Sequence, residues 1–314
     1  MNKTILASLL TLVLVFPVLA QANLGARPMG MGGAFAGLAD DVNAIYVNPA
    51  GITSVKKESV LVSTRLIEGR EYTMIGGVEK TPFGSLGIGY VGSTDPITGS
   101  LDLTTWDGES PVRYSSQTLY VSLAQDLNQQ IRVPDNLGLL SLGVNVKFSS
   151  RKIGTTKGLS TDGGSNIDLD LASVFKPTDY LSFGLAMKNF MNAQPSPAVA
   201  NLNTSDEKNS TLLAGISGNL FENAVTWSVE GRQVGCEWRP VDGLTLRAGR
   251  GNGNTTTGIG FNLNGFSVDY AYLNPTIVGN GAGPVHYWSV SITPKTESKA
   301  IAQNEPKKAS VLPE

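Results

Sequence analysis

One histidine, His286, and one cysteine, Cys236, limit the chemistry that this sequence can perform. A serine hydrolase needs a histidine base beside its nucleophile, and Ser289 and Ser291 follow His286 on a predicted strand. Successive side chains of a strand point to opposite faces, so both serines lie on the face opposite His286. No other signature supplies a nucleophile for this base. We therefore predict that the protein is not an enzyme.

Cofactor chemistry is limited in the same way. A single cysteine cannot close an internal disulfide, and Cys236 is most simply a small apolar residue on a strand. One histidine and one cysteine are too few for a zinc or redox site, so we expect no metal and no cofactor. The formal net charge of -2 excludes a predominantly basic, nucleic-acid-binding surface, and we expect no nucleic acid partner.

The first residues of the chain have the order of a secretory signal peptide. Lys3 supplies a positive charge, residues 5–19 form an apolar run, and Ala20-Gln21-Ala22 is a small-x-small cleavage site. The apolar run is shorter than the roughly 20 residues of a spanning helix. We predict a signal peptide over residues 1–22 and a mature chain that begins near Asn23.

Alternation of apolar and polar residues with period two predicts β-strands along the mature chain. The clearest segment is 140–149, and the same pattern returns in 167–171, 181–188, 244–248 and 266–272. One face of each segment is apolar, and the other is small, polar or charged. Alternation alone fits a soluble sandwich as well as a membrane barrel.

Two observations favour the membrane barrel. The chain has 16% charged residues, whereas a soluble surface has about 25 to 35%. The polar face also carries isolated charges of both signs, which suit a lumen: Lys147, Asp168, Asp170, Lys188, Glu230, Glu237, Arg247 and Asp269. We therefore predict an all-β fold, a transmembrane antiparallel β-barrel in the bacterial outer membrane.

Turn signals divide the chain into about fourteen candidate strands, an even number as bacterial barrels require. They are 58–66, 71–80, 85–93, 112–125, 137–151, 164–176, 180–190, 209–220, 224–230, 233–239, 243–250, 255–264, 266–274 and 284–293. Short connections alternate with long polar ones at 94–111, 152–163, 191–208 and 275–283, which places both chain ends in the periplasm. Segment 224–239 is either one strand or two strands joined at Gly231-Arg232, and we favour two because one would invert every later turn.

Three residues of opposite sign lie on neighbouring predicted strands, in the polar phase. Glu237, Arg247 and Asp269 can pair across the strands as a lumen charge ladder, which would satisfy the charges and make the wall rigid. A role in channel selectivity is the alternative. Aromatic girdles are expected near strand ends, and the candidates are Tyr270, Tyr272, Tyr287 and Trp288.

A segment rich in glycine and alanine, residues 25–52, lies before the first strand. A dinucleotide-binding loop is excluded, because Phe35 stands where a third glycine is needed and no strand precedes Gly30 and Gly32. The segment is too small and too glycine-rich to form a stable free helix. It must therefore pack closely against another part of the protein.

Residues 25–52 resemble the mature N-terminal end of the FadL-type outer-membrane transporters, and more closely that of their PorV-like branch. The shared features are the Gly-rich stretch, the step Ala39-Asp40-Asp41 and the motif Asn48-Pro49-Ala50-Gly51. A second patch of likeness covers 235–238, 246–249, 258–261, 268–272 and 286–289, whereas 90–230 matches only in general character.

The resemblance implies that residues 23–57 fold into the barrel as a hatch, with Asn48-Pro49-Ala50-Gly51 as its tight corner. Pro49 fixes φ, Gly51 permits a positive φ, and the Asn48 amide can hold a neighbouring backbone group. The candidate residues of the hatch and ligand path are Asp40, Asp41, Asn48, Pro49, Ala50 and Gly51. The alternatives are a plug that does not gate, and aspartates that only cap a helix or meet solvent.

The predicted organisation has four parts: the signal peptide 1–22, the hatch 23–57, the barrel 58–293 and a disordered periplasmic tail 294–314. The tail has mixed charge and no apolar period. Many barrel chains end on an aromatic residue of the last strand, but this one continues. It stays open whether the outer-membrane assembly machinery reads 287–293 internally.

Passive transport of hydrophobic compounds, such as long-chain fatty acids, is the function that the FadL resemblance implies. A PorV-like scaffold or shuttle that binds exported proteins and a purely structural barrel are the alternatives. A transporter should have an apolar lumen pocket, whereas a scaffold should have a distinctive surface in loops 94–111 and 191–208. The expected partners are outer-membrane lipids, a hydrophobic small molecule, exported proteins and the assembly machinery.

Overall fold

The computed structural model describes residues 25–55, 59–67, 70–97, 112–129, 138–155, 160–191, 210–251, 253–274 and 284–293. Its strands are β1 Ser59–Ile67, β2 Arg70–Thr81, β3 Gly84–Ile97, β4 Val112–Asp126, β5 Leu139–Thr155, β6 Ser160–Thr178, β7 Leu181–Lys188, β8 Thr211–Leu220, β9 Val225–Glu230, β10 Gln233–Val241, β11 Leu244–Gly251, β12 Asn254–Leu263, β13 Phe266–Asn274 and β14 Val285–Ile292. The predicted signal peptide and the predicted tail lie outside the described residues.

These strands form one closed antiparallel barrel. Each strand pairs with its neighbours in sequence, and β1 closes the ring against β14, with Ser63 opposite Ser289. Closure leaves no unpaired strand edge, which is the condition for a β-sheet to cross a bilayer. The predicted fold class and the even number of strands are confirmed.

The two faces of the barrel wall differ in polarity. Large apolar side chains are exposed on the outer face: Val60, Val62, Ile75, Ile88, Leu119, Leu123, Leu142, Phe148, Ile167, Leu171, Val290 and Ile292. Residues between them point inwards, and the buried charged ones are Lys147, Arg151, Asp168, Asp170, Glu230, Glu237 and Arg247. An apolar exterior around a polar interior is the architecture of a bacterial outer-membrane barrel, and the protein is located in that membrane.

Segment 224–239 forms two strands, as predicted. β9 and β10 are joined by a turn at Gly231-Arg232, and Glu230 pairs directly with Gln233. Gly231 has a φ of 55°, a left-handed value that glycine adopts without the clash of a β-carbon. This tight turn keeps the later strands in their predicted orientation.

β5 and β6 extend further than the sequence pattern indicates. The predicted long loop at 152–163 is wrong, because Lys152 pairs with Asp162 and the ladder continues to Gly154 and Ser160. The outer residues at this level include Lys152, which is exposed. The apolar alternation therefore stops while the backbone hydrogen bonding goes on. The other three predicted loops lie mostly outside the described residues.

The height of the wall is uneven around the barrel. β5 and β6 have 17 and 19 residues, whereas β9 has 6 and β11 has 8. We call the end with the turns 82–83, 179–180, 242–243 and 264–265 the short-turn end, and the opposite end the long-loop end. β9 is the shortest strand of the wall.

The N-terminal segment, residues 25–55, lies inside the barrel and contacts inward-facing residues of the wall. It contains two short helices, Ala26–Gly30 and Ala44–Val47, and the 3-10 helix Pro49–Ser54. Almost all of its residues are buried. None of the helices in the described ranges is long and apolar enough to cross a membrane.

We expect a charge on the outer face to destabilise the barrel according to its depth. Leu171 lies midway along the outer apolar face of β6, and Leu263 lies at the short-turn end of β12. Leu171→Arg should lower the free energy of unfolding by about 2 to 4 kcal/mol, and the control Leu263→Arg by about 1 kcal/mol or less. Urea unfolding of the barrel refolded in lipid vesicles measures both values. Equal losses would contradict the assignment of the outer face to lipid.

Candidate functional site

The largest fully buried side chains of the described chain include Tyr46, Phe35 and Ile45, all in the N-terminal segment. They belong to one apolar cluster with inward-facing wall residues such as Met74 and Tyr120. A β-barrel of this size has an interior that its own small side chains do not fill. The N-terminal segment therefore supplies the core of the barrel.

Tyr46 and Ile45 pack against β2, β3 and β4. The Tyr46 ring meets Tyr120 edge-on, with 5.3 Å between ring centroids, and its hydroxyl donates to the Ile75 carbonyl at 2.7 Å. A β-carbon at Gly89 would lie 2.8 Å from Cγ2 of Ile45. Glycine at this wall position is what lets the two side chains approach.

Polar wall residues on β5, β7 and β9 bind backbone groups of the segment. Asn145 Nδ2 donates to the carbonyl of Ile45 at 2.8 Å, and Lys188 Nζ donates to that of Tyr46 at 2.5 Å. The fully buried Glu230 accepts from the amide nitrogens of Phe35 and Ala36 at 3.0 and 2.6 Å. Buried backbone groups need such partners, so these residues hold the segment in place.

Arg27 joins the segment to the wall by ion pairs. Its guanidinium lies 2.7 Å from Asp40 Oδ1, 2.8 Å from Asp41 Oδ2 and 3.0 Å from Glu237 Oε2. It also lies 5.6 Å from the centroid of the Phe35 ring. Asp41 Oδ1 accepts in addition from the backbone and side-chain nitrogens of Asn43. The two aspartates of the predicted hatch motif are thus held by one arginine.

The three residues of the predicted charge ladder lie in one chain of ion pairs. Arg247 Nε is 2.6 Å from Glu237 Oε2, and its Nη1 is 2.6 Å from Asp269 Oδ1. Arg239 also pairs with Glu237. Because Arg27 reaches the same carboxylate, the ladder continues from the wall into the N-terminal segment. It is therefore a contact with the segment as well as a brace within the wall.

Two charged groups of the segment, Arg27 and Asp41, have pKa values shifted from their ordinary values. Burial alone lowers the pKa of Arg27, but Asp40, Glu237 and Asp41 outweigh burial and raise it well above its ordinary value. Burial raises the pKa of Asp41, and Asp40 adds to this, while Arg27 acts in the opposite direction. Arg27 is thus permanently charged, and it is the group that keeps the aspartates in place.

The motif Asn48-Pro49-Ala50-Gly51 forms a corner in contact with the wall. Asn48 is fully buried, and its Nδ2 donates to the carbonyls of Ala36 and Ser173 at 2.9 and 3.2 Å. Its Oδ1 accepts from the amide of Ala50 at 3.2 Å, which starts the 3-10 helix. The amide therefore ties two parts of the segment to β6.

Gly51 has a different role from the one predicted. Its φ is not positive, so conformational freedom is not the reason for glycine at this position. A β-carbon here would lie 2.0 Å from the carbonyl oxygen of Ala39. Glycine is needed at position 51 because the backbone of the segment passes very close to its own backbone at Ala39 here.

Glycines of the wall allow the segment to touch it backbone to backbone, a feature that the sequence analysis missed. A β-carbon at Gly143 would lie 2.3 Å from the amide nitrogen of Ala50, and one at Gly184 only 1.8 Å from the carbonyl oxygen of Ala36. Gly235 and Gly249 have equally close contacts with residues 31 and 32. The signal in the sequence was glycine on the inward phase of a strand, which marks a close approach.

The barrel wall separates His286 from Ser289, the candidate base and one candidate nucleophile, on opposite faces. His286 lies on the outer face, and its Nδ1 is 2.8 Å from the hydroxyl of Tyr270. Ser289 is buried on the inner face, where it bonds Ser63 and the amide of Ala26. Tyr287 is also buried inside, so its place in an outer aromatic girdle was wrong, because it is adjacent to Trp288. Cys236 is exposed on the outer face.

The described residues contain no cluster of His, Cys, Asp or Glu that could hold a metal ion. Comparison of the sequence with protein-family models and with curated proteins gives no match. Comparison of the structure with solved structures does give matches. A Pseudomonas aeruginosa FadL homologue has a TM-score of 0.54 at 13% identity, covering 88% of this chain and 100% of that chain.

A second solved structure that matches is that of the P. putida toluene transporter TodX. Its TM-score is 0.40 at 10% identity, covering 86% of this chain and 98% of that chain. The likeness to the FadL homologue shows a shared fold. It agrees with the barrel architecture reached from the strand pairing.

We expect Gly184→Ala to displace the N-terminal segment, because the added methyl group would overlap the carbonyl oxygen of Ala36. The overlap should destabilise the docked segment by about 3 kcal/mol. Gly77→Ala is the matched control, since Gly77 lies on the outer phase opposite Val60 and Ile88. Limited proteolysis within residues 25–55 should speed up in the first variant only. Equal protection in both variants would show that the segment does not contact the wall here.

Arg27→Gln should loosen the segment while leaving the barrel wall intact. Asp40 and Asp41 would lose their cationic partner, which should reduce the stability of the docked segment by about 2 to 4 kcal/mol. This loss is smaller than for a fully buried ion pair because both aspartates are partly exposed. Arg239→Gln is the control, because Glu237 keeps two other arginines. Hydrogen exchange of residues 25–41 should accelerate in Arg27→Gln and stay unchanged in the control. Unchanged exchange in both variants would contradict the role of Arg27.

Proposed function

We propose that this protein mediates passive transport of hydrophobic compounds across the outer membrane, with the N-terminal segment as a removable hatch. The observation that carries this proposal is an apolar arc on the inner face of the wall, covered by the segment. The arc consists of the buried residues Leu61, Met74, Val91, Tyr120 and Tyr287. It belongs to β14 and β1–β4, which are consecutive around the barrel.

Covering the arc explains why the transported compound should be hydrophobic. Val42, Ile45 and Tyr46 pack on this side of the lumen, and each apolar side chain removed from water contributes about 1.5 to 3 kcal/mol. Withdrawal of the segment into water would lose this stabilisation. A hydrophobic compound that takes the place of these side chains restores it, whereas a polar solute does not.

The polar links between segment and wall are compatible with withdrawal. Asn145, Lys188 and Glu230 bind backbone groups that water can also satisfy, and such hydrogen bonds have a net value of about 0.5 to 1.5 kcal/mol each, or more for charged partners. The segment is held by many exchangeable bonds and carries the apolar side chains that a ligand can replace. This combination suits a hatch.

The substrate class rests on the FadL resemblance of residues 25–52 and on the fold shared with a FadL homologue. We propose long-chain fatty acids as representative substrates. The apolar arc is an addition to the polar lumen expected from the sequence. The alternation of apolar and polar residues did not indicate this arc, because Gly76 and Gly89 interrupt the alternation on β2 and β3.

The second candidate function is a PorV-like scaffold that binds exported proteins. It is favoured by the tightness of the packing, since Gly143 and Gly184 leave no gap between wall and segment. A plug that never moves would be expected to pack in this way. In that case the protein would bind its partners through its surface, and its lumen would stay closed.

A reversible covalent lock distinguishes the two functions. A β-carbon at Gly76 would lie 3.2 Å from Cγ1 of Val42, so cysteines at the two positions can approach each other, and the Tyr46 hydroxyl, 2.7 Å from the same β-carbon, must shift to make room. We expect oxidised Val42→Cys/Gly76→Cys, in a Cys236→Ser background, to lose uptake of radiolabelled oleate by whole cells. Reduction should restore it.

Thr118→Cys/Ser149→Cys is the matched control for this lock. The two hydroxyls are 3.0 Å apart on neighbouring strands of the wall, so this disulfide would not tie the segment. Its uptake should be equal in both redox states. Undiminished uptake through the oxidised lock would contradict the hatch, and uptake no higher than in cells without the barrel would contradict transport of fatty acids.

A further inference from the structure

Exposed charges are unevenly distributed between the two ends of the barrel. Among the charged side chains whose exposure the structure describes, Lys152, Arg232 and Arg250 are the exposed ones near the long-loop end, and all three are cationic. Those near the short-turn end are mainly acidic: Glu79, Asp179, Glu222 and Asp242, with Lys80 as the exception. Lys80 is engaged with carbonyls of the N-terminal segment. Arg232 and Arg250 therefore present positive charge on the wall at the long-loop end.

Two of these cations lie at one place on the wall. Arg250 pairs across the ladder with Val234, and Arg232 is at the adjacent turn of the β9–β10 hairpin. Arg250 shares its outward phase with Ala248, because Arg247 on the same strand is buried inside. Within the described part of the chain, no ion pair neutralises either guanidinium. Glu230, the nearest acid in sequence, is buried on the inner side.

An aromatic cluster on the same outer face marks the level of the membrane surface. The tilted rings of Tyr270 and Trp288 have centroids 4.6 Å apart, and Tyr270 hydrogen-bonds His286, which in turn makes an edge contact with Tyr272. Tyrosine and tryptophan collect at the boundary between lipid tails and headgroups. The cross-strand register links Tyr272 through Thr257 to Ala248, two residues before Arg250. Because the tilt of the strands shifts the height of register partners by only about 3 Å per strand, Arg250 lies near headgroup level.

The low wall at β9 brings that level close to the hairpin turn. β9 has 6 residues, which span about 20 Å along the strand and about 15 Å along the barrel axis for the usual tilt. The apolar band of an outer-membrane barrel is about 25 Å tall. A strand this short brings the turn residue Arg232, and Arg250 beside it, towards the lipid headgroups.

We propose that Arg232 and Arg250 bind the phosphate group of an anionic lipid in the outer leaflet. Planar guanidinium groups match phosphate oxygens in paired hydrogen bonds, which makes arginine suited to this ligand. Thr255 pairs with Arg250 on the neighbouring strand and can offer its hydroxyl to the same headgroup. Below the arginines, Val234 and Trp238 are exposed and provide an apolar surface for acyl chains. The site is independent of any passage through the lumen.

Binding of bisphosphorylated lipid A to the purified barrel in a nonionic detergent tests the proposal by native mass spectrometry. The wild-type protein should retain this lipid at low micromolar concentration. Arg232→Gln/Arg250→Gln should weaken binding about 100-fold, about tenfold for each charged hydrogen-bonding group lost. Lys152→Gln, which removes an exposed cation from the tall part of the wall, should bind as tightly as wild type.

Two further measurements separate the lipid from other ligands of the same chemistry. Arg232→Lys/Arg250→Lys keeps the charge but not the planar fork, and should bind at an intermediate level. Dephosphorylated lipid A should bind the wild-type protein as weakly as bisphosphorylated lipid A binds the glutamine variant. Equal binding of both lipids, or equal binding by wild type and glutamine variant, would overturn the proposal. Tight, arginine-dependent binding of inorganic phosphate alone would overturn the assignment to a lipid.

Discussion

Closing the sheet into a ring satisfies every strand edge but creates an interior that must be filled. The N-terminal segment fills it, and its buried backbone must find hydrogen-bond partners in the wall. Glu230, Asn145 and Lys188 provide them, while Gly143 and Gly184 let the backbone come close enough. Most inward-facing features of the barrel follow from this one constraint.

The same constraint divides the lumen into two sides. Most large apolar wall residues that contact the side chains of the segment lie on β14 and β1–β4, whereas most polar wall residues that bind its backbone and Arg27 lie on β5–β12, with Lys80 and Ser289 as exceptions. The apolar contacts between wall and segment, which a hydrophobic ligand can replace, are thus largely separated from the hydrogen bonds, which water can replace. The proposed hatch depends on this separation, and the lipid site on the outer face does not.

The sequence predicted the barrel well because its outer face is read directly from apolar alternation. It also placed Glu237, Arg247 and Asp269 near one another, since ladder pairing follows from strand order. The tall ends of β5 and β6 were missed because their outer residues no longer face lipid. The links through Glu230 and the wall glycines could not be predicted, because they depend on how the segment is placed inside the barrel.

Hydrogen exchange of the barrel in lipid nanodiscs, with and without oleate, tests the central claim most directly. Without oleate, the amides of residues 25–41 should be as protected as those of the strands, because they are buried and bonded to the wall. Oleate should speed exchange in this segment and leave the strands unchanged. Protection that oleate does not alter would contradict the hatch and identify the segment as a fixed core of the barrel.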